Sequence, residues 1–349
     1  MVLLLATQPF VSILVPVRNE ARYVERCLTS VFAQDYPKYQ IEILVSDGMS
    51  ADRTREIVTS FQDRHPNLHL LDNPGRITPT ALNTALLYAQ GEIIVRVDGH
   101  CQIAPDYIRR CVEHLLNDGV DGVGGAVVTV GETFLAQAIA AAMSSPFGVG
   151  NSAFRTVSDK TIPVDSVPFP AYTRAIIERA GLYDEELVRN QDDEYNYRLR
   201  KLGARILLAA DVHSTYYSRS TFRSLWKQFF QYGFWKVRVL QKHPRQMRPR
   251  QFIPPAFVAT LLGSGLLALW THQGRYLLAL VAGMYIFANL IVSARTAANM
   301  SWKYLPLLFI AFPTLHISYG LGFLAGLVRF GHRWNDHQGQ VPRFNQTLT

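Results

Sequence analysis

The chain has 349 residues, 48% of them hydrophobic and 18% charged, with three cysteines and a formal net charge of +8. That is enough chain for about two domains with a buried core, and it excludes a disordered polymer and a disulfide-stapled scaffold. The charge divides unevenly: residues 1–211 hold 26 acidic and 20 basic residues, net −6, while residues 212–349 hold 15 basic residues and the single acid Asp336, net +14. Because the basic part also carries the long apolar runs, its charge points to membrane lipid and not to nucleic acid.

Cys27, Cys101 and Cys111 are odd in number and form no CxxC pair, so neither a disulfide framework nor a zinc site is expected, and a reducing compartment fits. Met1 to Leu5 are apolar but lack a charged leader region, and an alternating strand pattern follows at once, so no signal peptide is read there.

Phe10 to Val17 is a short β-branched run, and Asn19 to Ala33 shows helical spacing through Tyr23, Val24, Cys27, Leu28 and Val31. A second strand, Ile41 to Val45, ends at Ser46-Asp47-Gly48, and Ser50 to Phe61 reads as a helix. Pro79 to Ala89 gives a third helix, stopped by Gly91, and strand Glu92 to Val97 ends at Asp98-Gly99-His100. Alternation at this spacing predicts right-handed βαβ units and a mainly parallel sheet. Such sheets bind ligands at the carboxyl ends of their strands, where Pro16 to Glu20, Asp47 and Asp98 to His100 all fall.

Ser218 to Arg250 holds nine Lys/Arg and no acid, with aromatics interleaved. Phe222, Leu225, Trp226 and Phe229 give one apolar stripe, the pattern of a helix lying among lipid headgroups, and its basic residues place the N-terminal domain on the cytoplasmic side. Phe252 to Trp270, Tyr276 to Ala294 and Tyr304 to Val328 are apolar and uncharged, each about as long as a bilayer-spanning helix of roughly 20 residues. Three spans would put the C-terminal tail with Arg329, Arg333 and Arg343 outside, against the positive-inside rule; two spans with an interfacial first segment would bring it inside. The expected organisation is therefore a catalytic domain over 1–217, a basic interfacial segment over 218–250, a transmembrane region over 251–330 and a polar tail over 331–349.

Strand-end acids suit a nucleotide sugar: one accepts from base and ribose, another holds a divalent cation on the diphosphate. SILVPVRNE (12–20), LVSDGMSADRT (44–54), the Asn83 helix leading into GEIIVRVDGH (91–100), and NQDDEYNYRLRKLG (190–203) occur in the order found in family 2 inverting glycosyltransferases. The chain resembles that family over about 200 residues, and the basic-aromatic segment with its C-terminal apolar runs is similar to membrane-bound bacterial exopolysaccharide enzymes. The resemblance implies an α/β GT-A fold, Rossmann-like with a mainly parallel sheet, followed by an interfacial helix region and C-terminal transmembrane helices.

It further implies transfer of one sugar from a nucleoside-diphosphate donor, UDP-linked by preference, to a lipid-linked acceptor at the cytoplasmic face of a bacterial plasma membrane. Pro16, Arg18, Asn19, Glu20, Asp47, Asn83 and Asp98 are the implied donor contacts. His100 stands where the family usually has the second Asp of D-x-D; as a ligand it would join Asp98, and a third ligand at His213, on Mn²⁺ or Mg²⁺. Alignment on Arg198 puts Asp192 at the catalytic base, with Asp193 second and Gln191 in place of the usual Glu; the bland reading of these acids is dipole stabilisation at a helix start. Gln231 to Trp235 resembles the Q-x-x-R-W element of processive members, with Phe234 in place of Arg, which makes Gln231 and Trp235 candidate acceptor residues or interface anchors. The acceptor region from Met143 to Tyr172 carries no legible code, and Arg155 and Asp165 there are as well read as surface residues. Two alternatives stay open: a processive polysaccharide synthase, and a membrane subunit that binds nucleotide sugar without catalysis.

Overall fold

The computed structural model describes residues 8–342 and 344, except 151 and 158; the leader reading of Met1 to Leu5 and the end of the polar tail lie outside them. In chain order the strands are β1 (Val11–Val17), β2 (Ile41–Asp47), β3 (Leu68–Asp72), β4 (Ile93–Arg96), β5 (Cys101–Ile103), β6 (Gly122–Val130), β7 (Ile162–Pro163), β8 (Ala171–Thr173) and β9 (Ile206–Tyr217). The helices are α1 (Val24–Phe32), α2 (Thr54–Gln62), α3 (Thr78–Tyr88), α4 (Tyr107–Asn117), α5 (Phe134–Met143), α6 (Pro146–Val149), α7 (Ala153–Thr156), α8 (Arg174–Ala180), α9 (Gln191–Lys201), α10 (Phe222–Lys242), α11 (Ile253–Ala268), α12 (His272–Met300) and α13 (Leu305–Arg329). They divide into two compact units: Met1–Val128, Val157–Tyr216 and Gly339–Thr349 form the first, and Thr129–Thr156 with Tyr217–Gln338 the second.

The first unit is built on one mixed sheet in the order β3-β2-β1-β4-β8-β6-β9-β5, with β7 on β9. β1 and β2 are buried along almost their whole length, as strands covered by helices on both faces must be. β1 pairs in parallel with β2 from Val11↔Ile41 and with β4 from Val11↔Ile93, and β2 pairs in parallel with β3. The carboxyl ends of these strands therefore share one edge, and the loops after them gather there.

The expectation of a mainly parallel sheet is met on this half alone. Beyond β4, the pairs β4–β8, β8–β6, β5–β9 and β7–β9 are antiparallel. β5, β7 and β8 are three, two and three residues long, too short for an alternation of polar and apolar residues to mark them.

In the second unit, Thr133, Thr221 and Thr271 cap α5, α10 and α12 by accepting from Ala136 N, Ser224 N and Gly274 N. α10 and α13 run side by side in the same direction. A Cβ at Gly322 would fall on the carbonyl of Phe230, one at Gly326 on that of Phe234, and one at Gly233 on that of Tyr319, so the two backbones touch where these glycines stand. Next to this seam Phe234 and Trp235 pack on Phe330, with ring centroids 5.0 and 5.6 Å apart.

The basic face expected of α10 is corrected by this packing. Lys236, Arg238 and Lys242 are buried, and Arg238 is held by Gln241 Oε1 at 2.8 Å and by Asp336. Only Arg223 and Lys227, of the basic residues on α10, are exposed. Helices at Pro249–Ala268, His272–Met300 and Trp302–Arg329 are long and apolar enough to cross a membrane.

One ion cluster links α4 to β9 in the first unit. His114 faces Asp118 through Nδ1 at 2.7 Å and Asp211 through Nε2 at 2.7 Å. Burial pulls the imidazolium down, yet the two carboxylates raise it above its ordinary value. A histidine raised in the folded state adds stability that is complete below its unfolded pKa of about 6.5 and is lost as the pH rises through the folded value. We expect His114→Gln to be less stable than wild type at pH 6 and to approach it in alkaline solution, read as denaturant midpoints; a constant difference across pH would assign the histidine a packing role only.

Candidate active site

The loops after β1, β2 and β3 are bolted to one another. Asn19 N donates to Ser50 Oγ at 2.9 Å, its Oδ1 accepts from Ala51 N at 2.9 Å, and Glu20 N donates to Thr54 Oγ1 at 2.8 Å. Arg18 crosses Gly48 and donates through Nη1 to the carbonyl of Arg76 at 2.8 Å. Asn19, Met49 and Arg76 hold φ of 54°, 56° and 59°, the left-handed region that non-glycine residues seldom occupy. Backbone strain of about 1–3 kcal/mol at such a residue persists only where surrounding contacts over-determine it, and here it collects at one sheet edge.

Asp47 has no exposed surface, and its carboxylate is already engaged. It accepts from Ser50 N at 3.1 Å, Ser50 Oγ at 2.5 Å and Arg55 Nη1 at 2.9 Å, while Arg55 also reaches Asp72 at 2.7 Å. Its evident work is to shape the loop around it. Asn83 is likewise committed inside: its Nδ2 donates to the Tyr183 carbonyl and to Glu185 Oε1, both at 2.9 Å, and its Oδ1 accepts from Tyr183 N at 2.7 Å. It clamps the segment before α9, through partners a hundred residues away, where local patterns do not reach.

Asp98, just past β4, is gripped by Arg96. The guanidinium donates from Nε to Oδ1 at 2.8 Å and from Nη2 to Oδ2 at 3.2 Å, a bidentate pair with Arg96 buried. Burial pushes the Asp98 carboxyl up, but Arg96 and His100 beside it hold it below the usual carboxylate range. His100 turns its Nδ1 to Glu20 Oε1 at 3.0 Å and sets its ring edge-on to Tyr216, with centroids 5.4 Å apart.

The acids of α9 separate into different roles. Asn190, at φ 62°, turns the chain into the helix, and Asp192, Asp193 and Glu194 fill its first turn. Glu194 is taken by Arg198, whose Nε and Nη2 reach its two oxygens at 2.9 Å each, and whose Nη1 donates to the carbonyls of Ala180 and Leu182. Asp192 is raised above its ordinary pKa: burial raises it most, Arg96 opposes this, and Asp193 and Asp98 add to it. Arg96 thus acts electrostatically on Asp98 and Asp192 together and is itself held firmly protonated despite its burial. Gln191 is also buried, and its Oε1 has no hydrogen-bond partner among the described residues.

His213 falls away from His100. The β5–β9 register pairs Cys101 with Tyr216 and Ile103 with Ser214, and Ala104 N donates to the carbonyl of His213. His213 thus stands about four ladder steps from His100, roughly 13 Å at 3.3 Å per residue, with an exposed side chain, so the structure does not bring the two histidines together. Gln231 and Trp235 belong to the second unit, where Trp235 packs against Phe234 and Phe330. Of the acceptor-region residues, Asp165 pairs with Arg200 at 2.9 Å and Arg155 donates to Thr129 Oγ1 at 2.8 Å.

Arg96 escaped the sequence reading although a signal was present. It is a lone charge in an apolar strand, two residues before Asp98, a spacing that puts both side chains on one face of an extended chain. Arg96→Met leaves the partly buried Asp98 carboxylate without its counter-ion, and we expect a loss of about 1–3 kcal/mol in unfolding free energy. The double variant with Asp98→Asn should recover part of that loss in a double-mutant cycle; strict additivity would show that the pair is not coupled.

A model of the family described as "Glycosyl transferase family 2" matches residues 12–181. The chain is 31% identical over 323 residues to a succinoglycan biosynthesis protein, ExoA, of Rhizobium meliloti (strain 1021), covering 92% of this chain and 96% of that protein. It is 26% identical to a dolichyl N-acetyl-alpha-D-glucosaminyl phosphate 3-beta-D-2,3-diacetamido-2,3-dideoxy-beta-D-glucuronosyltransferase of Methanococcus voltae, over 92% of this chain and 98% of that one. Among solved structures, the mannosyltransferase PcManGT of Pyrobaculum calidifontis, in complex with GDP-Man and Mn²⁺, shares the fold with a TM-score of 0.58 and 22% identity over 92% of this chain and 88% of its own.

Proposed function

The chain belongs to glycosyl transferase family 2, and on that premise we propose that it transfers a single sugar, with inversion, from a UDP-linked donor to a lipid-linked saccharide at the cytoplasmic face of a membrane. The enzyme is a glycosyltransferase of polysaccharide or glycolipid synthesis. The observation that carries the reading is the charge group of Asp98, Arg96 and Asp192 beside a strand edge whose loops are fixed in advance. Support for a lipid-linked acceptor comes from the name of the Methanococcus voltae relative, and the UDP-linked donor rests on the order of the family motifs.

Asp192 is the proposed base. As an acceptor hydroxyl oxygen attacks the anomeric carbon, Asp192 takes its proton, the bond from that carbon to the diphosphate breaks, and the diphosphate leaves with the bonding electrons. A carboxylate raised by burial is the stronger proton acceptor once ionised, and Arg96 opposes that rise. Asp193 is the second candidate, because Glu194 is spent on Arg198. Pro16, Arg18, Asn19 and Glu20 border the donor site in this reading, with Asp47 acting through the loop that it shapes. The unpartnered Gln191 Oε1 is suited to accept from a sugar hydroxyl.

A divalent cation, Mn²⁺ or Mg²⁺, fits the residues present. The Glu20 carboxylate accepts from the Nδ1 side of His100, which in the neutral ring leaves Nε2 as the lone-pair nitrogen, the arrangement that orients a histidine for a metal. Among the described residues no three His, Cys, Asp or Glu gather as a metal site, so His100 and Asp98 would hold the ion with donor oxygens completing its shell. When bound, such an ion offsets the charge of a leaving diphosphate.

Asp192→Asn is expected to lower transfer by about 10²–10⁴-fold while leaving UDP-sugar binding by calorimetry unchanged; retained turnover would pass the base role to Asp193. In wild type, kcat should fall as the pH drops toward the raised pKa of Asp192, with its acidic limb above the ordinary carboxylate value of about 3.9. A flat profile down to that value would remove Asp192 from the proton transfer.

A further inference from the structure

We infer that the second unit crosses the bilayer twice, through α11 and α12, while α13 lies beside α10 along the membrane surface and the C-terminal segment ends on the catalytic side. This rests on the reading that the second unit is embedded in a membrane.

The chain leaves the first unit at Tyr217 and rejoins it at Gly339. The return is a built contact: Gln340 N donates to Asp184 Oδ1 at 2.9 Å, Glu185 N donates to the Gln340 carbonyl at 2.9 Å, and Phe344 packs on the core cluster of Leu182, Tyr183 and Tyr195. A folded unit lies on one side of a bilayer, so the number of crossings between Tyr217 and Gly339 is even. Three candidate helices cannot all cross.

α13 is the one that stays. Half of its most apolar window is buried within the protein, against 17% for the segment containing α11 and 11% for α12. Its start packs on α5 and α6: Tyr304, just before it, bonds to Gln137, and the Phe147 ring meets Phe312 edge-on at 5.2 Å. Its second half is seamed to α10. α5 has ten residues, about 15 Å, too few to cross, and α10 carries five Lys/Arg along its length, three of them buried. α11, α12 and the turn between them instead hold Leu262, Leu266, Trp270, Met284 and Phe287 outward, each more than half exposed. Two crossings leave Arg295, Lys303, Arg329 and Arg333 inside and only Arg275 near the outer turn, in accord with the positive-inside rule that three crossings violate.

The three native cysteines are buried, so single introduced thiols report on the intact chain. In the full-length protein expressed in bacterial cells, Trp270→Cys should react with a membrane-impermeant maleimide in intact spheroplasts. Met300→Cys and Trp334→Cys should react at least tenfold more after permeabilisation than before. Labelling of Trp334→Cys from outside together with Trp270→Cys would overturn the inference in favour of three crossings. A Trp270→Cys protein that labels only after permeabilisation while resisting alkaline carbonate would also overturn the inference, since two crossings and three crossings alike put that residue outside. Release by carbonate would overturn the membrane reading and this inference with it, whereas transfer activity on the same membranes stands or falls separately.

Discussion

A guanidinium removed from water must find negative charge, and carboxylates removed from water must find positive charge; the site is arranged around that mutual need at Arg96. Alone in an apolar strand, Arg96 would not be tolerated. Paired with Asp98 through two hydrogen bonds and acting on Asp192 across the end of the sheet, it holds the Asp98 carboxyl down and opposes the rise that burial and Asp98 impose on Asp192. The rest of the first unit serves this arrangement. β4 delivers Arg96 and Asp98 to the shared edge, α9 brings Asp192 there from a hundred residues away, and Glu194 is drawn off by Arg198 so that it does not add a further charge.

Rigidity surrounds this charged group. The left-handed residues Asn19, Met49 and Arg76 stand where three successive strands end, and each loop they shape is tied to a neighbour by side-chain to backbone bonds. Asp47 and Asn83 belong to the same scaffolding: both are buried, both spend their polar atoms internally, and both fix the course of a loop. A ligand arriving at such an edge meets groups already in place and spares the ordering cost of a mobile loop.

Much of this is legible in the residues alone, for reasons that can be named. β1, β2 and the helices between them announce themselves because a strand buried on both faces must be apolar throughout, and a covering helix must be apolar at every third or fourth position. The donor-side loops are legible because they follow those strands. The short strands of the antiparallel half are not, since two or three residues carry no period, and β3, with Leu68 as its one buried residue, carries little more. Asp192 stands out through its spacing to Arg198. The true station of Asn83 depends on a contact across a hundred residues, and that of His213 on a register, neither of which local sequence contains. Along α10 the error was one of face: a count of basic residues does not say which of them point inward.

That inward turn limits what α10 can offer to a lipid surface. Attraction between a basic helix and anionic headgroups is worth about 1 kcal/mol for each charge near the surface, and ions in solution screen it. With Lys236, Arg238 and Lys242 buried, α10 has Arg223 and Lys227 left to offer. Salt therefore has little to screen on this helix, and the net charge of the C-terminal part overstates what α10 can offer to lipid.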